Sequence, residues 1–199
     1  MARPAVFLDR DGTIVREADY MRSVSQLRLL PGAAEAIRRL NEAGFAIVVT
    51  TNQSGIARGL LTEADLAEIH AALTNRLARR GARLDGIYYC PHHPQAALPA
   101  YRKRCRCRKP APGLLLRAAR ELGLDLSRSF AVGDSRRDVE AGKRAGCSTI
   151  LVRTGYGAEA AGAPGGESTP DHVADSLAHA VPWILERMSG RRWRTCRRR

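Results

Sequence analysis

Asp9 and Asp11 stand two residues apart in the pentapeptide Asp9-Arg10-Asp11-Gly12-Thr13. On a turn that Gly12 makes possible, such a pair can face one site and share a hard divalent cation. Further along, Thr51, Lys109 and the segment Gly133-Asp134 supply a hydroxyl, an ammonium and another carboxylate. Phosphoryl transfer needs an in-line nucleophile, a proton for the leaving oxygen and positive charge around the transferring group. A carboxylate can be such a nucleophile, forming an aspartyl-phosphate, and an anionic nucleophile meeting an anionic ester needs the neutralisation that a divalent cation and an ammonium supply. Asp138, four residues after Asp134, reads as a helix-start carboxylate pairing with Arg136 or Arg137, and we do not count it as a metal ligand. A second chemistry lies in Cys90-Pro91-His92-His93 and Cys105-Arg106-Cys107. Three thiols and an imidazole form a set suited to tetrahedral Zn²⁺, structural because four protein ligands leave no open position. The spacing leaves His93 as an alternative to His92. With five cysteines in all, and no signal segment, a disulfide framework is disfavoured.

These residues need elements to hold them. Residues 5–8 are a short apolar run ending at Asp9, the pattern of a buried parallel strand. Residues 45–49 repeat it, followed by the polar turn Thr51-Asn52-Gln53-Ser54. Residues 87–89, 130–132 and 149–152 give further strands, with a short one near Val173. Helices are expected from Pro31-Gly32 to Gly44, from the cap Thr62 to about Gly81, over 113–122, from Gly133-Asp134 to about Ala145, and from Leu177 onward. Residues 155–170, rich in Gly, Ala and Pro, read as a flexible loop. Strands alternating with helices give an α/β doubly wound, Rossmann-like parallel sheet, with ligands at the carboxyl ends of its strands. No insertion is long enough for a separate cap domain, so residues 16–28 and the zinc-stabilised loop at about 90–107 must shape the pocket. Residues 1–187 form this domain, and 188–199 a basic tail without regular structure.

Composition sets limits. The 199 residues are 44% hydrophobic, enough for a core. No apolar run of about 18 residues exists, so no membrane span is expected, and the start of the chain lacks leader features, which points to a cytoplasmic protein. The net charge of +13 invites a nucleic-acid reading, but six arginines fall in the last nine residues. Without a basic–aromatic stripe we expect no obligate nucleic-acid partner.

The motifs carry a resemblance. Asp9-Arg10-Asp11-Gly12-Thr13, Thr51, Lys109 and Gly133-Asp134-x-x-x-Asp138, in this order, resemble the four motifs of the haloacid dehalogenase superfamily of phosphohydrolases. The resemblance implies that Asp9 is the nucleophile and that Asp11 protonates the leaving oxygen and then activates water. It also implies that Thr51 and Lys109 hold the phosphoryl group. Mg²⁺ would sit on Asp9, Asp134 and the Asp11 carbonyl. Cys-Pro-His ahead of Cys-x-Cys-Arg-Lys-Pro is similar to one group, the heptose 1,7-bisphosphate 7-phosphatases and related histidinol-phosphate phosphatases. Thr51-Asn52-Gln53-Ser54-Gly55-Ile56-Ala57-Arg58-Gly59 looks like the heptose enzymes. That implies the zinc set Cys90, His92, Cys105 and Cys107. It implies substrate contacts from Glu17, Asp19, Tyr20, Thr51, Asn52, Gln53, Ser54, Arg108, Lys109 and Ser135. It further implies a small sugar bisphosphate substrate, a role in nucleotide-activated heptose for lipopolysaccharide or S-layer glycan, and a monomer. Histidinol phosphate and the 3′-phosphate of a nucleic-acid end are the rival substrates. One residue departs from the pattern: some heptose enzymes carry Lys after the last motif's Asp, where this chain has Ser135.

Overall fold

The computed structural model describes residues 2–162 and 169–196, the stretch 190–196 by its backbone alone. Side-chain alternation builds its sheet. In β1 (Ala5–Leu8), Val6 and Leu8 enter one core while Ala5 and Phe7 enter another. β2 (Ala46–Asn52) and β4 (Phe130–Gly133) divide the same way, with Ile47, Val49, Phe130 and Val132 on the first face and Ala46, Val48 and Ala131 on the second. With β3 (Gly86–Cys90), β5 (Ser148–Val152) and β6 (His172–Ala174) they make a six-stranded parallel sheet ordered β3-β2-β1-β4-β5-β6.

Helices cover both faces, as a doubly wound fold requires. The first core is closed by α1 (Ala33–Glu42), α3 (Glu63–Ala78) and α7 (Leu177–Cys196) through Ile37, Leu40, Leu66, Leu73, Val181 and Ile184. The second is closed by α4 (Gly113–Leu122) and α5 (Arg136–Ala145) through Leu115, Ala118 and Ala141. The cap expected at Thr62 is a full capping box: its hydroxyl accepts from the Asp65 amide and the Asp65 carboxylate accepts from the Thr62 amide. The short α2 (Ser54–Ala57) turns the chain after β2.

Two segments differ from the sequence expectation. The stretch read as a flexible loop contains α6 (Gly157–Gly162), because Ala158-Glu159-Ala160-Ala161 are good helix formers in a Gly-rich context. Residues 163–168 lie outside the described residues. The backbone of α7 continues through Cys196, well into the stretch assigned to an irregular basic tail; its arginines have high helix propensity. Residues 197–199 lie outside the described part.

Candidate active site

The sheet order reverses at β1, which pairs with β2 on one side and β4 on the other. At this switch point the connections diverge and leave a crevice beyond the strand ends. Asp9 is the first residue past β1, and its amide donates to the Val132 carbonyl at 2.9 Å. Asp134 is the first past β4. Gly12 makes their approach possible. At φ 72° it occupies the left-handed region, and a Cβ there would overlap the Asp134 carboxylate. Gly155 backs Asp134 in the same way, and the Tyr156 amide donates to Asp134 Oδ2 at 2.9 Å.

Lys109 stands behind these carboxylates and is 4% exposed. Its Nζ lies 3.0 Å from Asp9 Oδ1, contacts Asp138 Oδ1 and donates to the Thr50 carbonyl at 2.8 Å. Burial alone would lower the Lys109 pKa, but the Asp138 and Asp9 carboxylates outweigh it and hold the ammonium above its ordinary value. Asp138 is the helix-start carboxylate expected, since its Oδ2 accepts from the Ser135 amide at 3.0 Å and the Ser135 hydroxyl at 2.5 Å. Its ion-pair partner, however, is Lys109 rather than a neighbouring arginine. Among the described residues the buried Lys109 ammonium is the cation that pairs with Asp138.

Burial raises Asp9 to about 7, helped by the charges of Asp138, Asp11 and Asp134 and opposed by Lys109. Burial likewise raises Asp134 to about 6. Carboxylate oxygens of Asp9, Asp134 and Asp138 lie within 4.8 Å of one another. One ammonium among this many acids leaves a deficit of positive charge, so the donor set fits a hard divalent cation. Asp138 joins that geometric group, but both its oxygens already face Ser135 or Lys109.

Asp11 is held by Gln53 and by Arg10, to which the sequence reading gave no role. Arg10, 1% exposed, grips it from Nε at 3.1 and 3.2 Å and from Nη2 at 2.9 Å. Arg10 also donates to Gln53 Oε1 at 2.9 Å and to His70 Nε2 at 3.3 Å. Burial, then the Arg10 charge, lowers His70 to about 4, so at neutral pH it is a neutral acceptor. Gln53 in turn donates to Asp11 Oδ2 at 2.9 Å and to Thr51 Oγ1 at 2.8 Å. The Thr51 hydroxyl proton therefore remains free to donate into the cleft. Asn52 acts on Lys109 in a similar way, its amide making both bonds to the Lys109 backbone, at 3.1 and 3.0 Å.

These groups line a polar cleft of about 280 Å³. The expected substrate residues Glu17, Asp19, Tyr20, Asn52, Gln53, Ser54, Arg108 and Ser135 all reach it, together with Arg58, His93, Arg137 and Tyr156, to which the sequence reading gave no role in substrate contact. Residues Asp19 and Tyr20 adopt φ of 40° and 67°, a turn that brings their loop over the cleft. Glu17 is raised by burial and by Asp11, although it accepts the Ala18 and Asp19 amides at 2.9 Å. Tyr20 carries the Arg58 guanidinium over its ring at 5.5 Å.

The cysteine loop gathers separately. Cys90, Cys105 and Cys107 sulfurs are 3.2–3.6 Å apart, and His92 Nδ1 lies 3.6 Å from Cys90 and 3.4 Å from Cys107. Tetrahedral Zn–thiolate ligation puts sulfurs about 3.7 Å apart, so the set fits zinc with slight expansion, and the thiols are free. His92 faces these sulfurs while His93 faces the cleft. The loop closes over α3, where Glu63 accepts the Tyr89 and Tyr101 hydroxyls at 2.5 and 2.9 Å. It leads through Cys107 directly into Arg108 and Lys109.

Comparison with known proteins gives the same direction. Residues 106–180 match a family model described as HAD-hydrolase-like. A Yersinia pestis protein named D-glycero-beta-D-manno-heptose-1,7-bisphosphate 7-phosphatase is 44% identical over 176 residues, 88% of this chain and 92% of its own length. The Escherichia coli protein of that name is 46% identical over 88% of this chain and 90% of its own length. Among solved structures, the D,D-heptose 1,7-bisphosphate phosphatase of B. bronchiseptica, complexed with magnesium and phosphate, aligns with a TM-score of 0.81 at 39% identity. It covers 92% of this chain and 99% of that one. Carboxylates at the switch point and relatives matched over nearly their whole length agree. The chain belongs to the haloacid dehalogenase-like phosphatase family, in the branch whose named members are heptose bisphosphate 7-phosphatases.

Proposed function

We propose that the chain is a Mg²⁺-dependent phosphatase that removes the 7-phosphate of D-glycero-D-manno-heptose 1,7-bisphosphate. The observation that carries this reading is the Asp9–Lys109–Asp138 cluster beside Asp134, with Asp11 fixed on its own network. Relatives that share 44–46% identity and bear that enzyme name support the substrate.

Asp9 attacks phosphorus, and the P–O bond to the sugar breaks. Asp11, oriented by Arg10 and Gln53, delivers its proton to the leaving sugar oxygen. The carboxylate so formed then takes a proton from water, which attacks the aspartyl-phosphate, releasing inorganic phosphate and restoring Asp9. Thr51 donates its hydroxyl to a phosphoryl oxygen, and the Lys109 ammonium offsets charge as Asp9 and the anionic ester meet. Mg²⁺, held by the Asp9 and Asp134 carboxylates with the Asp11 carbonyl, would neutralise charge on the same phosphoryl oxygens. Zn²⁺ on Cys90, His92, Cys105 and Cys107 would fix the loop that presents Arg108 and Lys109. We place the enzyme in the cytoplasm as a monomer serving nucleotide-activated heptose, for lipopolysaccharide or S-layer glycan; no described helix is long and apolar enough to cross a membrane.

Phosphate release with Mg²⁺, from heptose 1,7-bisphosphate and histidinol phosphate offered separately at equal concentration, tests the substrate. Preference for the bisphosphate, with the 1-phosphate left on the sugar, is expected. Preference for histidinol phosphate would overturn it.

A further inference from the structure

The cleft contains two sets of charges. One is the acidic set around Asp9, already engaged by Lys109. The other is cationic: Arg58, Arg108, Arg137 and the half-buried His93. Elsewhere on the surface Arg38, Arg117, Arg144 and Arg153 have carboxylate partners. Among the described residues Arg58, Arg108 and Arg137 have no carboxylate within ion-pair distance. All three line the same cleft, with His93 beside them. Guanidiniums converging without counter-charge repel, and an anion between them removes that cost.

Arg137 comes from the start of α5, close in sequence to Ser135. Ser135 follows Asp134 and is fully engaged as the N-cap of α5, its amide and hydroxyl both donating to Asp138. It offers the cleft no charge at the position where some heptose enzymes carry a lysine. Arg137 lies two residues on, in the first turn of the same helix, exposed and lining the cleft. The N-terminal end of a helix of this length adds a favourable field for an anion. We infer that Arg137 is a specificity-determining residue, binding with Arg108 the phosphate of the substrate that is not cleaved, and replacing the cation absent at position 135.

The inference rests on the bisphosphatase reading above. A guanidinium–phosphate pair holds two parallel hydrogen bonds, stronger than neutral ones, and binds substrate and transition state alike, so its loss appears mainly in KM. The test compares kcat/KM for heptose 1,7-bisphosphate with that for p-nitrophenyl phosphate, which lacks a second phosphate, in wild type, Arg137→Ala, Arg137→Lys and Arg137→Glu. The bisphosphate-to-monophosphate ratio should fall about tenfold to a hundredfold in Arg137→Ala. The fall should reside in KM, be larger in Arg137→Glu and be largely restored by Arg137→Lys. A ratio in Arg137→Ala within about twofold of a bisphosphate-preferring wild type overturns the role of Arg137 alone. A wild type with no preference for the bisphosphate overturns the proposed function and this inference with it.

Discussion

Replacing His70 isolates the hidden support of Asp11. In the folded chain His70 is neutral to about pH 4, against 6.5 for the free side chain, because burial and the Arg10 charge disfavour a second positive charge. The unfolded chain takes up a proton on this imidazole as pH falls through 6.5, whereas the folded chain refuses it. Stability from this residue is therefore complete above 6.5 and is lost as pH falls toward 4. For those two values the loss between about pH 7.5 and about pH 5 is about 2 kcal/mol. Asp9 and Asp134, raised in the fold, change stability with the opposite sign, but they are common to wild type and variant and cancel in the comparison. His70→Gln keeps an acceptor for Arg10 and removes the titration. Urea unfolding of both proteins at the two pH values should show the wild type losing about 2 kcal/mol more than His70→Gln. Equal losses would refute a neutral, buried His70 accepting from Arg10.

Other expectations follow from the same geometry. Lys109→Met leaves the Asp138 and Asp9 carboxylates without their shared ammonium in a buried site and should cost about 3–5 kcal/mol of folding stability together with turnover; a loss under about 1 kcal/mol by denaturant titration contradicts the pairing. Cys107→Ala should lower bound zinc, measured by elemental analysis, and the melting temperature together; an unchanged melting temperature would remove the structural role. Added Mg²⁺ should raise the melting temperature more at about pH 7.5 than at about pH 5.5. At the lower pH the protons held by Asp9, at about 7, and Asp134, at about 6, must first be displaced. Equal shifts at both pH values would reject these carboxylates as its ligands.

Much of the site was legible because three of the motifs lie at the ends of apolar strands. Asp9 after Ala5–Leu8, Thr51 in β2 and Asp134 after Phe130–Gly133 reach the crevice by sheet geometry alone. The Cys/His loop was legible from ligand types, although only folding distinguishes His92 from His93. Arg10 was hidden, since a charged residue between two aspartates reads as exposed, yet it is 1% exposed with its charge matched by Asp11 and a further N–H accepted by Gln53. A signal for His70 existed. It lies next to Ile69 and between Leu66 and Leu73 on the buried stripe of α3, the place where a histidine needs a partner. Arg58 and Arg137 could not be read because they reach one cleft from the ends of two short-range elements, α2 after β2 and α5 after β4. Asn52 and Gln53 were expected to touch substrate, and both line the cleft. Their amides are also bonded to Lys109, Asp11 and Thr51, a positioning task that spacing does not reveal.

The most direct test of the central claim is to trap the covalent intermediate. The protein, quenched in acid during turnover of heptose 1,7-bisphosphate with Mg²⁺, is reduced with borohydride, which converts an aspartyl-phosphate into homoserine, and the modified residue is located by peptide mass spectrometry. Homoserine at position 9, absent when Asp9→Asn replaces the wild type, is the predicted result. Modification at Asp11 or Asp134 with position 9 untouched would contradict Asp9 as the nucleophile.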